Sequence, residues 1–373
     1  MTLSKDKLNI ITKLSQTVFL QKLNLNLIKK NSEYLYNLHG QIKPLYKNII
    51  HKPNILYNKN ETYKEIIKII NNSLIGENFY IKEKVAKTDK IIKLTNENIN
   101  FYYINLGNYE KDINIINNLF NQSICLAKYK MLNKQNIIII WIPVEKKRDY
   151  DFDIINNENL EKSINNFEAF TASGVTFNYN PKITIITRYE EITKLLLHEL
   201  IHNYGIDGSQ YHNNHNKLIN NYKTIKNSKN YDYEYSIYES YTELLSSYLN
   251  LVFKNLNLNS NKDLLEKFKV DIIIETLYSY NTIANLIKLN NYKNYEEFEK
   301  KLIFKGNICM YEYYFLKALL YNNYELTIPN KKEDYEKNYQ TIININKNDP
   351  LLKDVYKNYI KQHNFSYIFY DTF

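Results

Sequence analysis

Ile192-Thr-Lys-Leu-Leu-Leu-His198-Glu199-Leu-Ile-His202-Asn-Tyr-Gly205 is the segment around which the rest of the chain is organised. Apolar residues run from Leu195 to Tyr204 without Pro or Gly, which predicts a buried helix that stops at Gly205. Residues four apart share a helix face, so His198 and His202 present two imidazoles one turn apart. Two such nitrogens can reach one Zn²⁺ at about 2.0–2.1 Å. Glu199 follows the first histidine and leans toward the open coordination position, where a carboxylate can take a proton from water. Between Leu195 and Gly205 no other acidic or basic side chain intervenes, and a low-dielectric surround strengthens ionic interactions at a metal. With 7 His in the chain, the pattern arises by chance in about one sequence in a hundred of this composition. The competing reading is a buried helix with two satisfied core histidines. It is costly, because buried imidazoles beside a carboxylate need something to bind them.

A catalytic zinc takes three protein ligands, and the sequence offers three candidates for the last. Glu239 ranks first. It lies in Tyr238-Glu239-Ser-Tyr-Thr-Glu243-Leu-Leu-Ser-Ser-Tyr-Leu, a second strongly helical stretch with two carboxylates on one face. Glu239 would bind the metal while Glu243 accepts the outer N–H of a ligand histidine. A solvated helix face is the alternative, although Leu244, Leu245, Tyr248 and Leu249 place much of this helix in a core. Asp207 ranks second. The metzincin spacing HExxHxxGxxH matches at Gly205 but puts Gly208, which has no side chain, at its final ligand position. Asp207, one residue earlier, is a ligand, an acceptor behind one, or a turn former. His212 ranks third with His215; exposed histidines in an Asn-rich loop are the plainer reading. A hydrolase of this type also needs an oxyanion donor, for which Tyr235, Tyr238 and His212 are the residues to test.

Upstream, Ala172–Phe177 and Lys182–Thr187 read as neighbouring strands leading into the helix. An edge strand there could pair with an extended peptide, or the two could form a plain hairpin. Arg188 precedes the helix and reads as a surface or structural ion-pair partner rather than a carboxylate binder. Further strands are predicted at Asn78–Lys84, Asn100–Leu106 and Ile137–Ile142, with a helix at Asp112–Leu132. Residues 1–75 read as mostly helical, around Leu8–Ile28 and Tyr63–Ile70, and the chain after Tyr189 is helical nearly to its end. Glu145–Asn159 and Asn213–Asp232 read as loops. The expectation is an α+β protein: an N-terminal helical region over 1–75, a core with a mixed sheet over 76–255 and a C-terminal helical region over 256–373.

Composition narrows the function classes. A chain of 373 residues with 44% hydrophobic and 24% charged residues is ordinary for a soluble globular protein. Ile, Asn, Lys and Tyr abound while Arg occurs only at 148 and 188, the usage of an AT-rich coding sequence. With 37 Tyr, one near any site is expected by chance. The net charge of +9 comes from scattered Lys, without the Arg-bearing basic face of a specific nucleic-acid reader. Cys125 and Cys309 lie far apart in apolar settings and read as buried thiols of a reducing compartment. The first 30 residues lack a signal-peptide core, and Ile137–Val144, the longest apolar run, is too short to span a bilayer. A soluble intracellular protein is expected.

The segments Ser173-Gly-Val-Thr, then Ile185-Ile-Thr-Arg188-Tyr-Glu-Glu191, then Lys194 through the His-Glu-x-x-His helix to Asp207-Gly-Ser209 resemble a family of zinc metallopeptidases of large nucleocytoplasmic DNA viruses. Ile139–Lys147 and Glu239–Phe253 are similar too, so the resemblance covers about residues 135–255 and leaves both ends aside. It implies a zincin-like core with a gluzincin-like ligand set (His198, His202 and Glu239 around Zn²⁺), Glu199 as the catalytic residue, and a role for Asp207. The family's own substrate does not carry over; the His-Glu-x-x-His reading itself leads to the expectation of a polypeptide substrate, and a viral source would add viral protein processing, virion or host proteins as partners, and the host cytoplasm or the virion as location. A catalytically silent zincin-fold scaffolding protein of a virion is the alternative. A slighter resemblance links the chain to clostridial neurotoxin light chains, through His-Glu-Leu-Ile-His and a distant Glu. The Gly-Ile-Asp ending and the Glu239-x-x-x-Glu243 pair fit those less well.

Overall fold

The structure is a computed structural model and describes residues 12–13, 18–46, 53–73, 75, 79–130, 135–145, 174–177, 181–189, 191–208, 225–226, 232–233, 237–289, 292–301, 311–329, 331–345 and 349–359. In chain order the first elements are α1 (Leu25–Ile42), β1 (Asn54–Tyr57), α2 (Glu61–Asn71), α3 (Phe79–Ala86), β2 (Lys90–Asn96) and β3 (Ile99–Ile104). Then come α4 (Tyr109–Tyr129), β4 (Ile137–Ile142), β5 (Gly174–Phe177), β6 (Lys182–Thr187) and α5 (Ile192–Asn203). The remainder is helical: α6 (Ile237–Lys254), α7 (Lys262–Leu289), α8 (Tyr295–Lys301), α9 (Lys317–Asn323), α10 (Lys332–Ile343) and α11 (Pro350–Lys357). A two-residue ladder joins Ile225–Lys226 to Asp232–Tyr233. The chain divides into two compact units, one from residues 39–204 and the other from residues 1–38 with 205–372.

The unit of residues 39–204 is built on a mixed sheet of six strands in the order β1-β2-β3-β4-β6-β5. Strands β3, β4 and β6 are parallel; β1, β2 and β5 run antiparallel to their neighbours. Parallel strands are covered on both faces, which is why Ile137-Ile-Ile-Ile-Trp-Ile142 is an unbroken apolar run rather than an alternating one. On one face Tyr102, Ile104, Ile140, Ile142 and Ile185 join a core with Ile66 and Ile70 of α2 and Ile81 and Val85 of α3. On the other face Phe101 meets Phe120 of α4 edge to face, and Thr184 of β6 accepts from Asn203 of α5 at 2.9 Å.

Three sequence expectations in this unit need correction. The strand expected over Asn78–Lys84 is helical from Phe79 on: α3 occupies Phe79–Ala86, and its buried Ile81 and Val85 stand four apart on one helical face. Strands β1 and β2 were not anticipated, β1 lying within the region expected to be helical. Arg188, expected as a surface or structural ion-pair partner, is buried at 1% exposure, which removes only the surface alternative; it takes φ 69°, and its carbonyl accepts from the Trp141 indole at 3.0 Å.

The other unit is helical, and Tyr hydroxyls and Asn amides satisfy its interior. Asn31 of α1 donates to the Tyr324 carbonyl at 3.1 Å and accepts from the Leu326 N–H at 2.8 Å. Tyr280 of the 28-residue α7 donates at 2.7 Å to Asp349, whose other oxygen accepts from the N–H groups of Leu351 and Leu352 and so caps α11 ahead of Pro350. Gly205 (φ 65°) and Gly208 (φ 77°) turn the chain in the left-handed region before α6.

Candidate functional site

Helix α5 starts without a side-chain cap, from Glu191 at φ 58°, and its entry is held by the preceding residues. The Tyr189 hydroxyl donates to buried Asp112, which also accepts from Tyr103 at 2.7 Å. Burial and this carboxylate hold both phenols well above their ordinary pKa, so both remain neutral donors. Nearly every position of α5 is buried, including the polar Thr193, Lys194, His198, Glu199 and Asn203, so these side chains need partners inside the protein. His198 is 5% exposed, while His202 is half-buried.

The two Nε2 atoms are 3.1 Å apart, with ring planes inclined at 79°. Two ligands on a tetrahedral ion at about 2.0–2.1 Å each stand about 3.3–3.4 Å from one another, so the observed spacing fits a shared metal. Glu239, in the first turn of α6, completes a group that could hold an ion: one ligand atom from each of His198, His202 and Glu239 lies within 4.8 Å of the others. Two imidazoles and a carboxylate form a borderline donor set suited to zinc among the divalent ions.

Glu199, next to His198, is turned onto the sheet edge. Its Oε2 accepts from the Thr176 hydroxyl of β5 at 2.7 Å, and its carbonyl lies 3.1 Å from the same hydroxyl. Thr176 stands opposite Thr184 in the ladder, with the two hydroxyls 3.3 Å apart. Two residues before Thr176, a Cβ on Gly174 would fall 2.3 Å from Glu199 Oε1 and 2.7 Å from its Cγ. The carboxylate therefore occupies the space that a larger residue at 174 would fill.

The remaining predicted residues are placed as follows. Asp207 is buried; its carboxylate accepts from Thr242 at 3.4 Å, its carbonyl from the Tyr339 hydroxyl, and the neighbouring Ile206 carbonyl from Tyr335 at 2.9 Å. It is not part of the metal-competent group found among the described residues. Glu243 is buried and lies 3.8 Å from Lys317 of α9. Tyr238 is half-buried beside Glu239. His212, His215, Tyr235 and Cys309 lie outside the described residues. Cys125 is buried, and burial pushes its thiol pKa up to about 12. Sequence reasoning missed Thr176, Thr184 and Asn203 as neighbours of the motif. Their only signal was the Gly174-Val-Thr176 strand ahead of it, where the roles of glycine and threonine become visible only once β5 is placed against α5.

The chain is similar to an uncharacterized protein, R210, of Acanthamoeba polyphaga mimivirus: 28% identical over 159 residues, covering 40% of this chain and 38% of that protein. The match thus spans well under half the length of that relative. No protein-family model and no solved structure matches the chain. Among the described residues no helix is long and apolar enough to cross a membrane.

Proposed function

We propose that the protein is a zinc-dependent peptidase in which His198, His202 and Glu239 hold the ion and Glu199 is the general base. The observation that carries this reading is the approach of those three donor groups to within 4.8 Å, with a carboxylate adjacent to the first histidine in the chain. A zinc ion bound there supplies Lewis acidity and lowers the pKa of water to near neutrality. Glu199 takes the proton of the attacking water and returns it to the departing amine nitrogen. Strand β5 ends the sheet, so its outer edge offers backbone N–H and C=O groups to an extended polypeptide substrate. The relative from a large DNA virus fits a viral setting for the protein, in which such a peptidase would process viral or host proteins.

The test is Glu199→Gln, which keeps the shape of the side chain and removes the base. It is expected to retain bound zinc and to cleave a peptide library at least about 10²-fold more slowly than the wild type. Equal turnover by the two proteins contradicts the mechanism. A zinc-loaded wild type that cleaves no peptide favours the scaffolding alternative instead.

A further inference from the structure

We infer that Thr176 is the positioning residue for Glu199, aiming its carboxylate through a hydrogen-bond chain that starts on the same helix at Asn203, and that Gly174 provides the space in which that carboxylate sits. The inference rests on the peptidase reading and extends it to residues outside the His-Glu-x-x-His motif. The direction of the chain follows from donor and acceptor capacity. The Asn203 amide nitrogen can only donate, and it does so to Thr184 Oγ1 at 2.9 Å. Thr184 can accept there and still donate, and because the single proton of Thr176 goes to Glu199, it is Thr184 that donates to Thr176 Oγ1, 3.3 Å away. Thr176 in turn directs its proton to Glu199 Oε2 at 2.7 Å, the shortest of its contacts and the one with a carboxylate. Asn203 and Glu199 are one helical turn apart, while Thr176 and Thr184 are register partners across β5 and β6. Three elements (β5, β6 and α5) are thus stitched at four side chains, and the last of them is the base.

Glutamate has three rotatable bonds, so a base left to itself samples many positions. A base held in one rotamer needs no reorganisation at the moment of proton transfer. Glu199 is buried at 7% exposure, so little solvent competes for its oxygens. Gly174 carries no positive φ, so Ala is acceptable there to the backbone, but its Cβ would meet Oε1, Cδ and Cγ of Glu199, so the side chain has to turn away from Cγ outward. Gly174→Ala should therefore displace the carboxylate rather than unfold the strand.

Two measurements on the full chain test the inference. In peptide hydrolysis, Thr176→Val and Gly174→Ala are each expected to lower kcat by about 10-fold or more, with KM and zinc content unchanged, and Thr176→Ser to restore most of the rate. Gly174→Ala leaves every hydroxyl of the chain in place, so it decides the matter even where Thr176→Val folds poorly. In the metal-free protein, urea unfolding of Thr176→Val, Glu199→Ala and the double variant is expected to be non-additive by about threefold or more in the unfolding constant. Unchanged kcat in both Thr176→Val and Gly174→Ala, or additive unfolding, overturns the inference. If wild type and Glu199→Gln hydrolyse peptides equally, the peptidase reading falls, and the unfolding cycle alone then decides whether Thr176 holds Glu199.

Discussion

Side chains near the motif divide into those that converge on a metal-competent point and those that brace its surroundings. His198, His202 and Glu239 belong to the first kind, Glu199 follows His198 in the chain and is held by Thr176, and Asp207 belongs to the second. The bracing at Asp207 extends to the adjoining turn. Gly208 takes φ 77°, and a Cβ there would lie 2.5 Å from the Tyr335 ring, whose hydroxyl in turn holds the Ile206 carbonyl. Gly208→Ala combines a left-handed penalty of about 1–2 kcal/mol with an aromatic ring that must move. It is expected to cost about 2 kcal/mol or more in denaturant unfolding while leaving the zinc stoichiometry intact. A loss below about 0.5 kcal/mol contradicts this account of the turn.

At the level of elements, the β2–β3 hairpin makes a tractable prediction. Asn96 pairs with Ile99, so Glu97 and Asn98 form a two-residue turn in which Glu97 adopts φ 48°. With positive φ at its first central residue alone, such a turn favours Gly at that position, since a side chain there is strained. Replacing Glu97 by Gly removes about 1–2 kcal/mol of strain against about 0.5–1 kcal/mol of added chain entropy. Glu97→Gly is therefore expected to stabilise the protein by up to about 1 kcal/mol, seen as a higher urea midpoint; a lower midpoint contradicts the hairpin. The same turn explains why β2 escaped the sequence reading: the sequence lacks the glycine that marks most hairpins. Strands β4 and β6 were legible because buried parallel strands are long β-branched runs, and α5 because its apolar residues Ile192, Leu195, Leu196, Leu200 and Ile201 recur at helical spacing. Helix α3 was misread because aromatic and β-branched residues crowd its first turn, and only the spacing of Ile81 and Val85 betrays its period.

For the whole molecule, a net charge of +9 from scattered lysines says little about fold or chemistry, and function is argued from the site. His198, Glu199 and His202 were legible because an i, i+4 spacing declares a shared helix face without reference to the rest of the fold. Choosing among Glu239, Asp207 and His212 was a different problem, since it depends on contacts distant in sequence. Asp207, nearer the motif, carries a turn instead, and Glu239 has its donor atom beside the two imidazoles. Thr176 and Gly174 were illegible as partners of Glu199, because a strand residue's neighbour across a helix has no sequence spacing of its own. The most direct measurement is the metal content of the purified protein, by plasma mass spectrometry, for wild type, Glu239→Ala and Asp207→Ala. The account predicts close to one zinc per chain in the wild type and in Asp207→Ala, and its loss in Glu239→Ala. A wild type without stoichiometric metal, or a Glu239→Ala protein that keeps it, contradicts the account.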